Sequence, residues 1–307
     1  MIGSTRAAEL ETREVPFQPA AGRPSQSYWQ ESWSRLLENR VGIACGLVIV
    51  AVAVIALSAP LISRYLTHYA YTDQDLADLF APPRAPHWLG TDELGRDTLT
   101  RLVYGAQISL TVGFLTVALS LLVGGTVGLV AGYNGGWLDN LLMRVVDILL
   151  SIPSIFLFIL LSVLLRPNAI TLSLIIAFVG WGNVGRLVRA EALSNRNREF
   201  MVATRSLGAS GVRLVLRHLL PNTLPVMIVA ASLAVGQIIL VEAALSYLGL
   251  GIQPPTASWG NMLSNSQQYF YHSPWLVVFP GVCIFVTVLC TNILGNAVRD
   301  AFDPRLR

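Results

Sequence analysis

Apolar residues fall into six long blocks along this chain: 41–62, 107–131, 138–165, 170–188, 223–248 and 275–298. A helix of about 20 apolar residues crosses a hydrocarbon core about 30 Å thick, so each block is long enough to span a bilayer. Strands of the outer-membrane type alternate in polarity over about ten residues, and these runs are far longer. Pro153 interrupts the third block, because its ring removes a backbone donor and crowds the preceding turn. The pattern predicts an all-α membrane protein with six transmembrane helices.

The polar intervals supply the rest of the organisation. Residues 1–40, with Pro16, Pro19, Gly22 and Pro24, read as a tail ending in an amphipathic stretch where Trp29, Trp33, Leu36 and Leu37 recur at helical spacing. That stretch is either a helix lying along the inner headgroups or part of a disordered tail. Block 41–62 reads as an uncleaved anchor, since it exceeds the 7–15-residue core of a signal peptide. In the extracytoplasmic segment 63–105, Pro82, Pro83 and Pro86 preclude a continuous helix. Thr91 is expected to cap a helix there, with Asp92 and Glu93 in its first turn. Arg96, Asp97 and Arg101 would then form a charged collar. Gly249 and Gly251 are expected to end the fifth span before an outer turn stiffened by Pro254 and Pro255.

Composition agrees with membrane residence. The 307 residues are 53% hydrophobic and 13% charged, with mean hydropathy +0.58, whereas soluble domains carry about 25% charged residues. All 21 basic residues are Arg. With the N-terminus inside, five of them (Arg64, Arg84, Arg96, Arg101 and Arg166) lie outside and the remainder lie inside. The positive-inside rule therefore predicts cytoplasmic N- and C-termini. Cys45, Cys283 and Cys290 all fall within spans, so they imply small packing residues rather than a disulfide framework.

Within the spans a few residues stand out. Gly124, Gly128 and Gly132 form a small-residue stripe that permits close helix packing, within the chain or against a partner subunit. Arg144 and Asp147 are i,i+3 neighbours able to pair along one helix face, to snorkel, or to line a pathway. Glu242, near the outer end of the fifth span, either meets water at the outer mouth or lines a central path.

Between the fourth and fifth spans lies the most informative interval, the Arg-rich insert 198–222, REFMVATRSLGASGVRLVLRHLLPN. Residues 199–207 contain good helix formers, Gly208 supplies a corner, and 212–220 resume helical spacing until Pro221 is expected to end it. Met201 and Val202 beside Arg198 and Arg205 would make a greasy, cationic knob, suited to a groove on another protein.

This insert resembles the cytoplasmic loop of ABC-importer permeases, usually written E-A-A-x3-G-x9-I-x-L-P. Here it reads Val202-Ala203-Thr204, three residues, Gly208, nine residues, His218, Leu219, Leu220-Pro221. The spacing is intact, while Val202, Thr204 and His218 depart from the usual residues. The blocks LGTDELGRDTLTRLVYGAQISL, GGWLDNLLMRVVDILLSIPS, LSYLGLGIQPPTASWGNML and GNAVRDAFDPRLR resemble the C-type permease of dipeptide and oligopeptide importers. The resemblance implies a type I ABC-importer permease fold in a bacterial or archaeal inner membrane. Its five-helix core would occupy 106–298, with the coupling loop at 189–222 and a cytoplasmic tail at 299–307. Val202, Ala203, Thr204, Arg205, Gly208, Ala209, Leu220 and Pro221 would then form the ATPase-coupling element. The implied partners are a homologous B-type permease, two ATP-binding subunits that carry ATP and Mg, an extracytoplasmic solute-binding protein and membrane lipid, with no nucleic acid. No cofactor is expected on this chain.

Other classes fit less well. A phosphate-binding GxxxxGK[ST] loop needs Lys, and the sequence has none. An intramembrane Ser–His protease needs a His within a span, but His68, His87, His218 and His272 lie in connectors. No His or Cys pair has metal-ligand spacing. Two alternatives remain: a permease for glutathione or nickel chelates, and a secondary transporter driven by an ion gradient and using Arg144, Asp147 and Glu242.

Overall fold

The structure, a computed structural model, describes residues 28–264, 266–271 and 273–302. The tail predicted before residue 28, His272, and the last five residues of the GNAVRDAFDPRLR block lie outside these. Helix α1 covers Tyr28–Glu38 and α2 covers Arg40–Leu57, followed by α3 at Ala59–Ile62 and a π-turn at Ser63–Thr67. Then come α4 (Thr98–Asn134), α5 (Gly136–Ser151), α6 (Ser154–Leu165) and α7 (Ala169–Arg196). Short helices α8 (Glu199–Ser206) and α9 (Gly211–Leu214) precede a second π-turn, Val215–Leu219, and α10 (Leu220–Tyr247). The chain finishes with α11 (Trp259–Met262), α12 (Ser266–Tyr269) and α13 (Trp275–Phe302). Among the described residues five helices are long and apolar enough to cross a membrane, or six if the bent α5–α6 pair counts as one span. Pro153 sits at that bend, which turns the path by 82°.

Side-chain caps explain several boundaries. Asn39 Oδ1 accepts from Gly42 N at 2.8 Å at the start of α2, and Asn168 Oδ1 from Thr171 N at 2.9 Å at the start of α7. Asp97 Oδ2 accepts from Thr100 N at 2.8 Å, so α4 begins at Thr98. The expected cap at Thr91 is therefore corrected. Thr91 instead ties the preceding loop together, its Oγ1 accepting from Ala81 N at 2.8 Å. The expected collar also splits in two. Asp92 pairs with Arg96 at 2.7 Å and Arg101 at 3.2 Å, while Asp97 faces His87 Nδ1 at 3.0 Å. Sequence spacing could not reveal this, because the loop folds back over ten residues to bring His87 to Asp97.

The glycine stripe packs α4 against α7. A methyl group on Gly128 would lie 2.6 Å from the Gly185 carbonyl oxygen, and one on Gly132 2.5 Å from the Ala192 Cβ. Gly124 likewise sits against Trp181 and Val184. Contacts advance in step along both chains, so the two helices run parallel, and the glycines allow backbone-to-backbone approach. A second core joins α4, α10 and α13 through Leu110, Val117, Val235, Ile239 and Ile284. Helix α2 packs against α13, where Cys45, Ile49 and Cys290 are buried, and its Ala56 joins the core with α4. Helix α1 docks through Trp29, whose ring meets Phe302 edge-on at 5.6 Å, while Trp33 and Leu37 remain exposed.

Pro221 does not end the second insert helix, as the sequence suggested. The chain stays helical from Gly211 to Tyr247. Leu220 N donates to Val215 O across the π-turn, and Pro221 lies in the first turn of α10. The wider turn accommodates a ring that would crowd a regular α-helix. At the far end of α10 the expectation holds: Gly249 has φ +75° and the helix stops at Tyr247.

Candidate functional site: an Arg-rich elbow and a neutral cavity

The insert folds into an elbow whose shape follows from its sequence. Gly208, with φ +82°, closes α8. Its N–H donates to Arg205 O at 3.0 Å and the Ala209 N–H to Thr204 O at 3.3 Å, the paired bonds of a Schellman ending. Nothing lies within 4 Å of where a Gly208 side chain would begin. Glycine is therefore required here for backbone conformation, not for space.

One side of the elbow is anchored. Met201, Leu214 and Leu219 are buried with Leu129, Val188 and Ala192 at the ends of α4 and α7, and Ala209 and Leu220 border them. Arg205 lies 5.7 Å over the Tyr133 ring, a cation–π contact to the end of α4. The opposite side is open: Leu207 is 88% exposed and Val212 70%, with Val202 and Leu216 beside them. Met201 and Val202, expected together on the knob, thus separate. The helix turns Met201 into the anchor and Val202 outward. Ala203 is exposed, and Thr204 Oγ1 is occupied by the Phe200 carbonyl at 2.7 Å.

The ionisable residues of the spans are placed differently from the sequence expectation. Asp147 pairs with Arg186 of α7 at 2.5 Å rather than with Arg144, and both partners are half exposed. Arg144 forms no ion pair among the described residues. A stronger pair escaped the sequence altogether. Arg189 grips Asp139 through Nε at 2.5 Å and a second nitrogen at 2.7 Å. Fifty residues separate these partners, and no local pattern announces them. They clamp the start of α5 to α7 beside the elbow.

Glu242 neither meets water nor faces an open path. Its carboxyl is fully buried and accepts from Ser109 Oγ of α4 at 2.8 Å and Ser246 Oγ at 2.7 Å, with Ser258 as a third partner. Ser246 Oγ in turn accepts from Ile252 N at 3.1 Å. Nearby, Trp259 Nε1 donates to Leu102 O at 3.0 Å. Glu242 therefore pins the turn after α10, together with α11, onto α4 and α10.

Midway along the bundle, α4, the α5–α6 bend, α7 and α10 line an open cavity of about 490 Å³. Its wall is largely apolar, with polar groups from Thr116, Ser120, Ser154, Asn183 and Gln237. The sequence reading missed Asn183 and Gln237. The available signal was a carboxamide inside an otherwise apolar block, in WGNVG and VGQII.

Comparison with known proteins assigns this arrangement. Residues 124–307 match the family model described as binding-protein-dependent transport system inner membrane component, and residues 27–83 the N-terminal TM domain of oligopeptide transport permease C. The chain is 41% identical to the dipeptide transport system permease protein DppC of Alkalihalophilus pseudofirmus, over 94% of this chain and 96% of that protein. It is 37% identical to the oligopeptide transport system permease protein OppC of Bacillus subtilis, over 95% and 97%. The glutathione transport system permease protein GsiD of Pectobacterium atrosepticum is 36% identical, over 91% and 92%. In fold, the chain resembles a solved chain of the inward-facing MetNI methionine ABC transporter. That match has TM-score 0.50 at 19% identity and covers 66% of this chain and 96% of that one. Helical spans and these family matches agree, and the chain belongs to the binding-protein-dependent transport system inner membrane components, as a multi-pass ABC-importer permease.

Proposed function

We propose that this permease imports dipeptides and oligopeptides, forming a translocation path with a homologous B-type permease. Relatives named for dipeptide and oligopeptide transport match along nearly their whole length, which favours peptides over glutathione or a nickel chelate. ATP and Mg belong to two separate ATP-binding subunits, and a solute-binding protein delivers cargo from the extracytoplasmic side. This chain supplies no catalytic group and holds no nucleotide.

One observation carries the reading: the elbow is fixed to α4 and α7 by a buried apolar anchor while Leu207, Val202, Val212 and Leu216 project outward. Exposed apolar side chains on an insert that also exposes Arg198, Arg213 and Arg217 suit a groove with an apolar floor and an acidic rim. An ATPase that closes on ATP and grips this elbow stabilises one membrane conformation over another. A transporter driven by an ion gradient has no use for such a surface.

The test is Leu207→Asp in the complete transporter. We expect normal membrane insertion, loss of ATPase co-purification and loss of ATP-dependent peptide uptake. Uptake by the wild-type chain that follows an ion gradient and ignores ATP would refute the proposal.

A further inference from the structure

Two carboxamides, both exposed, border the neutral cavity. Asn183 on α7 and Gln237 on α10 both line it, and among the described residues neither side chain makes a hydrogen bond within the chain. Asn140 and Asn296 also make none, whereas four other helical asparagines are paired. Asn134, Asn195, Asn222 and Asn292 each donate to the carbonyl four residues earlier. At a rise of about 1.5 Å per residue, Asn183 lies about 21 Å from the outer end of α7 and Gln237 about 15 Å from the outer end of α10. Both therefore sit in the middle depth of a hydrocarbon core about 30 Å thick. An unpaired amide at that depth is costly in an apolar setting, and polar side chains inside membranes mark pathways and sites.

We infer that this cavity is a solute subsite, in which Asn183 and Gln237 hydrogen-bond the main-chain amide of the transported peptide. This rests on the peptide-import reading. A carboxamide both donates and accepts, so two of them match the N–H and C=O that every peptide bond presents, whatever its side chains. The cavity volume of about 490 Å³ falls within the range of about 300–1,000 Å³ usual for small-molecule sites. Among the described residues no charged side chain lines it. Lysine-bearing and glutamate-bearing peptides then pass without electrostatic preference, and side-chain selection is left to the delivering protein.

The complete transporter in proteoliposomes, at saturating binding protein, provides the test, with Ala-Lys and Ala-Glu as probes. Asn183→Asp or Gln237→Glu places a fixed carboxylate in the subsite at nearly constant shape. The Ala-Lys to Ala-Glu uptake ratio should rise about tenfold over wild type, because a unit charge in a partly dry site acts strongly at short range. The receptor is unchanged, so the shift reports the membrane path alone. Asn183→Leu and Gln237→Leu should lower Ala-Ala uptake several-fold while affecting its peptide-N-methyl analogue less. An unchanged charge ratio in both acidic variants, with ATP-dependent uptake intact, overturns the subsite. Loss of the second permease on co-purification also overturns it, by placing both amides in a permease–permease contact. Absence of ATP-dependent peptide uptake by the wild-type complex refutes the importer reading itself, a result separate from either.

Discussion

Substitution of Gly208 isolates the contribution of backbone shape to coupling. The residue sits at φ +82°, where a residue bearing a Cβ pays roughly 1–2 kcal/mol. Nothing within 4 Å would meet that Cβ, so the cost in this chain is conformational and owes nothing to a clash. Asn tolerates the left-handed region better than Ala, and β-branched Val tolerates it least. One to two kcal/mol corresponds to a factor of about 5–30 in the population of the correctly bent elbow. Met201, Leu214 and Leu219 are buried in the anchor, and Gly208 meets none of them, so the bundle itself should stay folded in every variant. Gly208→Asn, Gly208→Ala and Gly208→Val should therefore reduce ATP-dependent uptake and ATPase co-purification in increasing order, with Ala lower than wild type by about 5–30-fold. Thermal stability of the isolated permease should change little. Equal losses for Asn, Ala and Val would refute this reasoning, because they would mean that the partner's cleft excludes any side chain at this point.

Three further outcomes follow from the packing. Gly128→Leu should destabilise the α4–α7 contact by about 1–3 kcal/mol, seen as a lower Tm in detergent; Gly281→Ala, where an added methyl meets nothing within 4 Å, should leave the Tm unchanged or raise it. Glu242→Gln keeps one acceptor oxygen for a serine hydroxyl, and its NH2 can donate to the other hydroxyl oxygen, so uptake selectivity should be unaltered, whereas Glu242→Leu should cost about 1–3 kcal/mol and loosen α11 in hydrogen exchange. Asp139→Asn, which breaks the two-point grip of Arg189, should cost about 1–3 kcal/mol in chemical denaturation, while Asp147→Asn, in a half-exposed pair, should cost under about 1 kcal/mol.

Features set by chain-local physics were legible in advance. The membrane blocks, the break at Pro153, the close-packing glycines and the corner at Gly208 depend on residues a few positions apart. Features that depend on the fold were not. Asp147 found Arg186 instead of Arg144 because α7 brings a better-placed guanidinium across 39 residues of sequence. The start of α4 moved because Asp97 caps more directly than Thr91, whose hydroxyl is engaged by Ala81. Pro221 misled for a related reason, since a π-turn absorbs a proline that regular helix geometry rejects. Glu242 invited a reading in terms of permeation because a lone carboxylate in an apolar block looks unpaired, yet its serine partners lie 4 to 133 residues away. The carboxamides of the cavity were visible as letters, but their lack of partners became meaningful only once the surrounding helices were placed.

The 37-residue length of α4 has a mechanical consequence. At about 1.5 Å per residue the helix is a rod of about 55 Å, well beyond the bilayer core, without a proline along it. At one tip Arg101 is fastened to Asp92, and at the other Tyr133 lies under Arg205 of the elbow. A see-saw of this length needs little angle: a tilt of about 5° about its middle displaces each tip by about 2.4 Å. On the proposed coupling role, a shove on the elbow would reach the opposite rim of the bundle through this one rod.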